Sequence, residues 1–280
     1  MASSEWQKCP VVIPYFGGKF ELSRKLVPML PPHDRYIEVF AGGLSVFFRK
    51  KKSDWNVVND LDNDIVNLYI TIIEKFDELK NYIYWLPRSR ELFNQFKKEI
   101  KGNQDIEIPD FKRAGKYYYN IKCAFNKNVH GSFAKSKKED WSTKLIKELK
   151  YSRTFFNRVT IENFDFRTLI EKYPPRDIDL WYLDPPYVIA GERGDYYKHS
   201  FKWEDHEDLK LFCDEINEGN GKFMVSYDNR EEIKKLYSDY NVTEIGTRYA
   251  GATEAREKIF TELVITNYDP VSIQETLFGG

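Results

Sequence analysis

The sequence predicts an α/β fold built on a largely parallel sheet, interrupted by one helical, basic segment, and three observations predict it. Short runs rich in β-branched and aromatic residues recur along the chain, and helical patterns separate them. A strand, tight glycine turn and helix can be read at Arg35–Phe48, and strands alternating with helices imply parallel pairing with ligands at the carboxyl ends. In order, Tyr36–Phe40 is strand-like and runs through Ala41-Gly42-Gly43 into an expected helix at Leu44–Lys51. Asn56–Val58 is the next strand-like run. Asn63–Trp85 then carries apolar residues at helical spacing until Pro87 stops it. From about Ile83 to Ser152 the alternation breaks into a helical, basic stretch with a polar, turn-rich portion inside. It resumes with strands expected at Arg158–Ile161, Ile178–Leu183, Lys222–Ser226 and Ile259–Thr266. The chain therefore divides into segments 1–82, 83–152 and 153–280, the first and last sharing the sheet.

Composition bounds the answer. A chain of 280 residues holds one large domain, or one domain with a substantial insertion, and buries a real core. No apolar run approaches the roughly 18 residues of a membrane span, and Met1–Pro14 lacks the basic start and apolar stretch of a signal peptide. Three cysteines far apart and four scattered histidines offer no ligand spacing, so no metal and a reducing cytoplasm are expected. The net charge of −1 hides an asymmetry, for Lys97–Arg158 holds 16 Lys/Arg against 7 Asp/Glu. A solvated helical face is one reading of that excess. The other is a surface for a polyanion, because aromatic and turn residues interleave with the charge in Lys116-Tyr117-Tyr118-Tyr119-Asn120 and in Phe125–Lys135.

Asp184-Pro185-Pro186-Tyr187 closes the apolar run Ile178–Leu183 with a carboxylate, two prolines and an aromatic ring. An exocyclic base amine is a poor nucleophile, its lone pair being delocalised into the ring, so help must come from hydrogen bonding and positioning. A carboxylate accepts one N–H of such an amine, and a carbonyl beside proline, which has no N–H for a ladder, accepts the other. Tyr187 offers a face on which an extruded base stacks. The plainer reading is that Pro-Pro ends a strand and Tyr187 packs beside it.

With Glu38-Val39-Phe40-Ala41-Gly42-Gly43-Leu44-Ser45 upstream, the chain resembles the Dam-type (D12 class) DNA adenine-N6 methyltransferase family, in the order glycine loop, recognition insert, D-P-P-Y. Tyr15-Phe16-Gly17-Gly18-Lys19 looks like that family's Y-x-G-x-K element, and Asn59-Asp60-Leu61-Asp62 like the acidic end of its second strand. Val225–Asn229 and Glu262–Tyr268 are similar to its later strand motifs. The resemblance implies a Rossmann-like S-adenosylmethionine-dependent methyltransferase sheet with an inserted, mainly helical DNA-recognition domain. It implies cofactor contacts from Tyr15, Lys19, Glu38, Phe40, Gly42, Gly43, Ser45, Asp60, Asp165, Phe166 and Asp184, with S-adenosyl-L-homocysteine as product. The glycines would admit close backbone approach, and Asp60 would accept the ribose hydroxyls unless it is the N-cap of the next helix, a role that Asp62 or Asn63 fills equally well. Phe164 is equally placed for the role given to Phe166, or all three belong to the core.

The reaction so implied is direct methyl transfer to adenine N6 in duplex DNA, with Asp184, Pro185, Pro186 and Tyr187 at the catalytic centre. Asn126–Lys135 resembles the hairpin that reads DNA in this family, though without its usual arginines. Lys116, Asn126, Lys127, Asn128, His130, Ser132, Lys135, Lys137 and Lys138 are the expected DNA contacts. The loop Val188–Phe201 would close over the base or lie as a surface loop. Alternatives are adenine in RNA, a glutamine amide of a protein, cytosine N4, where Ser usually stands in place of Asp184, and a silent nucleic-acid-binding module. A monomer suffices, double-stranded DNA is the partner, a cognate restriction endonuclease fits the same system, and a prokaryotic cell or its virus is the expected source.

Overall fold

In the computed structural model the described residues are 12–13, 20–102, 105–125, 131–134, 141–188, 201–248 and 259–270. The chain forms two compact units, one of Pro28–Ala41, Ser53–Asp62 and Arg158–Gly280, the other of Met1–Val27, Gly42–Lys52 and Asn63–Asn157.

The first unit is the sheet. Its strands are β1 (Arg35–Glu38), β2 (Trp55–Asn59), β3 (Val159–Glu162), β4 (Asp179–Leu183), β5 (Lys222–Asp228), β6 (Asn241–Arg248) and β7 (Ile259–Thr266). They lie in the order β3-β2-β1-β4-β5-β7-β6, parallel except for β7, which is antiparallel to both neighbours. Chain order reverses between β1 and β4, the switch point beside which ligands bind in open α/β sheets. This is the Rossmann-like sheet expected from the sequence.

The two-residue period of a strand sorts the side chains. Ile37, Val39, Val57, Trp181, Leu183, Phe223, Val225, Tyr227, Leu263 and Ile265 share one face and one buried apolar cluster. Residues of three helices of the same unit complete that cluster: α7 (Phe166–Lys172), α8 (Trp203–Glu218) and α9 (Glu231–Leu236). Nearly every one of these ten positions is fully buried, and burial of that kind stabilises by about 25 cal/mol per Å² of apolar surface.

At the amino ends of β1 and β4 an ion pair fixes the register. Arg35 and Asp179 are directly opposite in the parallel ladder and both are buried. Arg35 Nε donates to Asp179 Oδ1 at 2.7 Å, while Nη2 donates to Asp179 Oδ2 and, at 2.8 Å, to the Pro174 carbonyl. The Arg176 N–H reaches the same carboxylate at 2.8 Å, and the guanidinium lies 4.8 Å from the Trp55 ring centroid. A forked pair with its remaining valences filled is the form of buried charge a fold tolerates.

The second unit is helical, with α1 (Ser23–Leu26), α2 (Asn63–Glu74), α3 (Phe76–Tyr84), α4 (Arg90–Gly102), α5 (Phe111–Cys123) and α6 (Trp141–Arg153). Asp110 caps α5, its carboxylate accepting from the N–H groups of Lys112 and Arg113. Arg113 makes a buried fork to Asp64 on α2 and reaches the Ile100 carbonyl on α4 at 3.0 Å, so one side chain joins three helices.

Three elements differ from expectation. Leu44–Lys51 is a set of turns and not a helix, because Leu44 has φ 52°, outside the helical region, and because Phe47 and Phe48 both pack on Phe156. Adjacent helical residues diverge by about 100° and would not reach one ring together. Asn63–Trp85 is two helices, since Lys75 leaves the helical region at φ −125°, ψ 37°. Strand β6 was not expected: it is an edge strand with only Val242 and Ile245 as strong apolar residues.

Replacing Asp179 by alanine leaves Arg35 charged and buried without its fork. We expect a loss of about 3–5 kcal/mol in urea denaturation; a loss below about 1 kcal/mol would show that the register is held elsewhere.

Candidate active site

The other face of the sheet changes character towards the carboxyl ends. Tyr36 and Glu38 on β1, Tyr182 on β4 followed by Asp184, Ser226 and Asp228 on β5 and Glu262 on β7 occupy the alternate positions. Tyr36, Glu38, Tyr182, Ser226 and Glu262 are all at most 3 % exposed. Buried polar groups at this density must satisfy one another.

Hydroxyls satisfy the carboxylates. Tyr36 donates to Glu38 Oε2 at 2.7 Å. Ser226 donates to Asp184 Oδ1 at 3.0 Å, and its oxygen lies 2.9 Å from the Tyr182 hydroxyl, making a chain Tyr182–Ser226–Asp184. Tyr187 donates to Glu262 Oε2 at 2.8 Å. Burial pushes the Tyr36 and Tyr182 phenols well above their ordinary range, and the charges of Glu38 and Asp184 add to the rise. Both phenols therefore remain protonated donors at any working pH. They orient carboxylates without neutralising them, which an arginine would do.

Sequence explains why Asp184 stands there. β4 ends at Leu183, and Pro185 and Pro186 supply no N–H to continue a ladder, so the chain leaves the sheet with Asp184 half-buried and Pro185 buried. The Tyr187 ring is half-buried against the apolar cluster, and Val188 packs beside it.

At the carboxyl end of β2, Asn59 is a joint. Its side-chain N–H groups reach the carbonyls of Val39 and Phe164 at 3.0 Å each, and its Oδ1 accepts from the Phe164 N–H at 2.9 Å. Asp60 follows, with Oδ1 accepting from the Asp62 N–H at 2.9 Å and its carbonyl accepting from Asn163 at 2.8 Å. Asp60 thus closes a turn ahead of α2, which begins at Asn63. Asp165 is the N-cap of α7, accepting from the Arg167 N–H at 3.0 Å and ion-paired with the Arg167 side chain. Phe166 is buried in the core, its ring 5.7 Å from the half-buried Phe40, which also meets Phe201 edge-on at 6.1 Å.

In the helical unit, Gly42 has φ 43° and its carbonyl accepts from the Tyr69 hydroxyl at 2.6 Å. A Cβ at Gly43 would stand 2.5 Å from the Ile13 carbonyl oxygen, so the protein's own backbone demands glycine there. Ser45 is half-buried nearby. Tyr15 and Lys19 lie outside the described residues, as do 189–200 of the loop after Val188.

Of the expected DNA contacts, only Lys116 and Ser132 are described. Lys116 is engaged with Glu99 at 2.6 Å, above the Phe96 ring, so its charge is already partnered. Ser132 is exposed and belongs to a short antiparallel pairing. Its carbonyl accepts from the Phe125 N–H at 2.7 Å, Ala134 N–H donates to the Cys123 carbonyl at 2.8 Å, and Ala124 bridges to Phe133. Arg88 braces this base through the Ala134 carbonyl at 2.6 Å and the Phe133 ring, and Lys97 through the Gly131 carbonyl at 3.0 Å. Asn126, Lys127, Asn128 and His130 fall between the paired flanks, and Lys135, Lys137 and Lys138 follow them, all outside the described residues.

The sequence pointed to Asp184 and Tyr187 but not to their supports, Ser226 and Glu262. The available signal was a polar residue at a strand position where alternation demands burial.

Comparison with known proteins bears on this geometry. The chain is 25 % identical over 288 residues to the modification methylase StsI of Streptococcus sanguinis, covering 91 % of this chain and 42 % of that protein. It is 24 % identical to a DNA N-6-adenine-methyltransferase of Escherichia phage P1, covering 81 % and 31 %, and 24 % identical to the DNA adenine methylase of Escherichia coli (strain K12), covering 75 % and 77 %. It thus spans less than half the length of the first two relatives. Likeness to solved structures is distant, with a TM-score of 0.39 and 9 % identity to a precorrin-6y C5,15-methyltransferase of Geobacter metallireducens GS-15, covering 96 % and 93 %. Residues 15–250 match one family along most of the chain's length, and the chain belongs to that family, the D12 class N6 adenine-specific DNA methyltransferases.

Proposed function

We propose that this chain transfers a methyl group from S-adenosylmethionine to N6 of an adenine extruded from duplex DNA. The observation that carries the reading is Asp184, held by the Ser226 hydroxyl at the carboxyl end of β4 beside a proline carbonyl and the Tyr187 ring.

The donor set suits the cofactor. Glu38 and Asp184 are carboxylates on adjacent strands at the switch point, and Asp60 ends the next strand, a set matched to an amine, ribose hydroxyls and a positive sulfur centre. When bound, S-adenosylmethionine supplies a methyl carbon activated by its sulfonium. Tyr15, Lys19, Gly42, Gly43 and Ser45 complete the proposed cofactor contacts. Asp165 and Phe166 serve it through their places in the fold, as cap and as core, while Phe40 offers a half-buried ring.

Towards the base, Asp184 accepts one amine N–H and the Pro185 carbonyl the other, so the nitrogen lone pair is turned out of conjugation. Tyr187 stacks the base, Pro186 keeps the turn stiff, and Asp184 takes the proton released when the amine becomes cationic. The Ser226 hydroxyl, an uncharged donor, orients Asp184 for that role. The excess of Lys and Arg between Lys97 and Arg158, with the braced pairing at Phe125 and Ser132, supports duplex DNA as the substrate. The name of the Streptococcus relative supports a companion restriction endonuclease. Bacterial and phage relatives support a cytoplasmic setting, and no helix among the described residues is long and apolar enough to cross a membrane.

The test is to incubate the protein with labelled S-adenosylmethionine and unmethylated duplex DNA, digest to nucleosides and identify the product by mass spectrometry. N6-methyladenine is expected, and its loss in Asp184→Ala with an unchanged melting temperature. N4-methylcytosine, or near-normal turnover of Asp184→Ala, would overturn the reading. Ser226→Ala should lower kcat about tenfold, the scale of one hydrogen bond to a charged group, with little change in KM for the cofactor. An unchanged kcat would show that Asp184 is oriented otherwise.

A further inference from the structure

Glu262 and Asp228 are directly opposite in the antiparallel ladder of β5 and β7, so their side chains share one face of the sheet. Like charges so placed repel, and Glu262 is 3 % exposed, where water screens little. Asp228 is drawn to Arg230, whose Nε is 3.2 Å away, yet burial still raises its carboxyl above the usual range. Glu262 instead reaches back to the segment after Asp184, accepting the Tyr187 hydroxyl hydrogen at 2.8 Å, 75 residues away in the chain.

A tyrosine ring packed along one edge is still free to swing about its side-chain bonds unless its far end is tied. Here the apolar cluster holds the ring edge and Glu262 holds the phenol. A stacking platform is effective when it is in place before the base arrives, because ordering it afterwards subtracts from the stacking energy.

We propose that Glu262 is a positioning residue for the reaction, tying the Tyr187 phenol so that the ring presents one face to the extruded base. Glu262 touches no reacting atom and acts through Tyr187. The inference rests on the function proposed above.

Its test uses the full chain and a duplex carrying 2-aminopurine at the mapped target adenine, whose fluorescence rises when that base leaves the stack. Glu262→Ala should lower both the fluorescence rise and kcat, the latter about tenfold, while KM for S-adenosylmethionine changes less than about twofold. Glu262→Gln keeps an accepting oxygen and should recover most of the loss. Tyr187→Phe should show the same deficit, and adding Glu262→Ala to it should cost nothing more. Multiplicative losses, no recovery by glutamine, or a change confined to cofactor KM would overturn the proposal. Should Glu262→Ala fail to fold, Tyr187→Phe against Glu262→Gln decides alone, since each removes no more than one hydrogen bond or one charge. Wild-type protein that makes no N6-methyladenine would sink the functional reading itself, whereas active wild type with unaltered Glu262→Ala would sink only this inference.

Discussion

The forked ion pair between Arg35 and Asp179 is the constraint on which the site depends. It pins β1 to β4 at their amino ends, and three residues further along the same ladder Glu38 stands opposite Tyr182. A slip of one residue would turn each strand over, sending Glu38 and Tyr182 into the apolar face and Ile37 and Trp181 out of it. The two ends of these strands treat charge in opposite ways. At the amino end a guanidinium and a carboxylate cancel and are sealed in. At the carboxyl end the hydroxyls of Tyr36, Tyr187 and Ser226 hold the carboxylates.

That difference gives the site its chemistry. A carboxylate neutralised by arginine is a poor acceptor for a base amine and a poor match for a positive sulfur centre. Asp184, Glu38 and Glu262 are instead oriented by uncharged hydroxyl donors, those of Ser226, Tyr36 and Tyr187. Rigidity comes from the scaffold, since Ser226 and Glu262 sit within strands and hold Asp184 and Tyr187 between them. The helical unit repeats the logic of the sheet's amino end, with Arg113 and Asp64 joining α2, α4 and α5 so that a short braced pairing can stand on α5.

Much of the fold was legible because strand ends carried strong signals. Pro185-Pro186 cannot continue a ladder, and β1 is followed by glycines, so those boundaries were read within two residues. β6 was invisible because an edge strand needs few apolar residues, and Asn241–Arg248 has few. The expected helix after the glycine turn failed at Leu44, whose left-handed backbone no local pattern announces. Within the candidate site, Asp184 and Tyr187 were legible in the sequence as candidates. Their supports were not, because Ser226 and Glu262 are 42 and 75 residues distant from what they hold. Both nonetheless sat in plain view as polar residues at strand positions that alternation assigns to burial. Lys116 shows the converse, a charge that looked available in sequence and is partnered by Glu99 one helix away.

In the function proposed above, the carboxyl ends of β1 and β4 hold the methyl donor. The most direct measurement is ultraviolet crosslinking of methyl-labelled S-adenosylmethionine to the protein, followed by protease digestion and mass spectrometric location of the label. Label is expected on peptides containing residues 35–41 or 179–188, suppressed by excess S-adenosyl-L-homocysteine. Label confined to the helices between 90 and 153, or indifferent to that competitor, would contradict it.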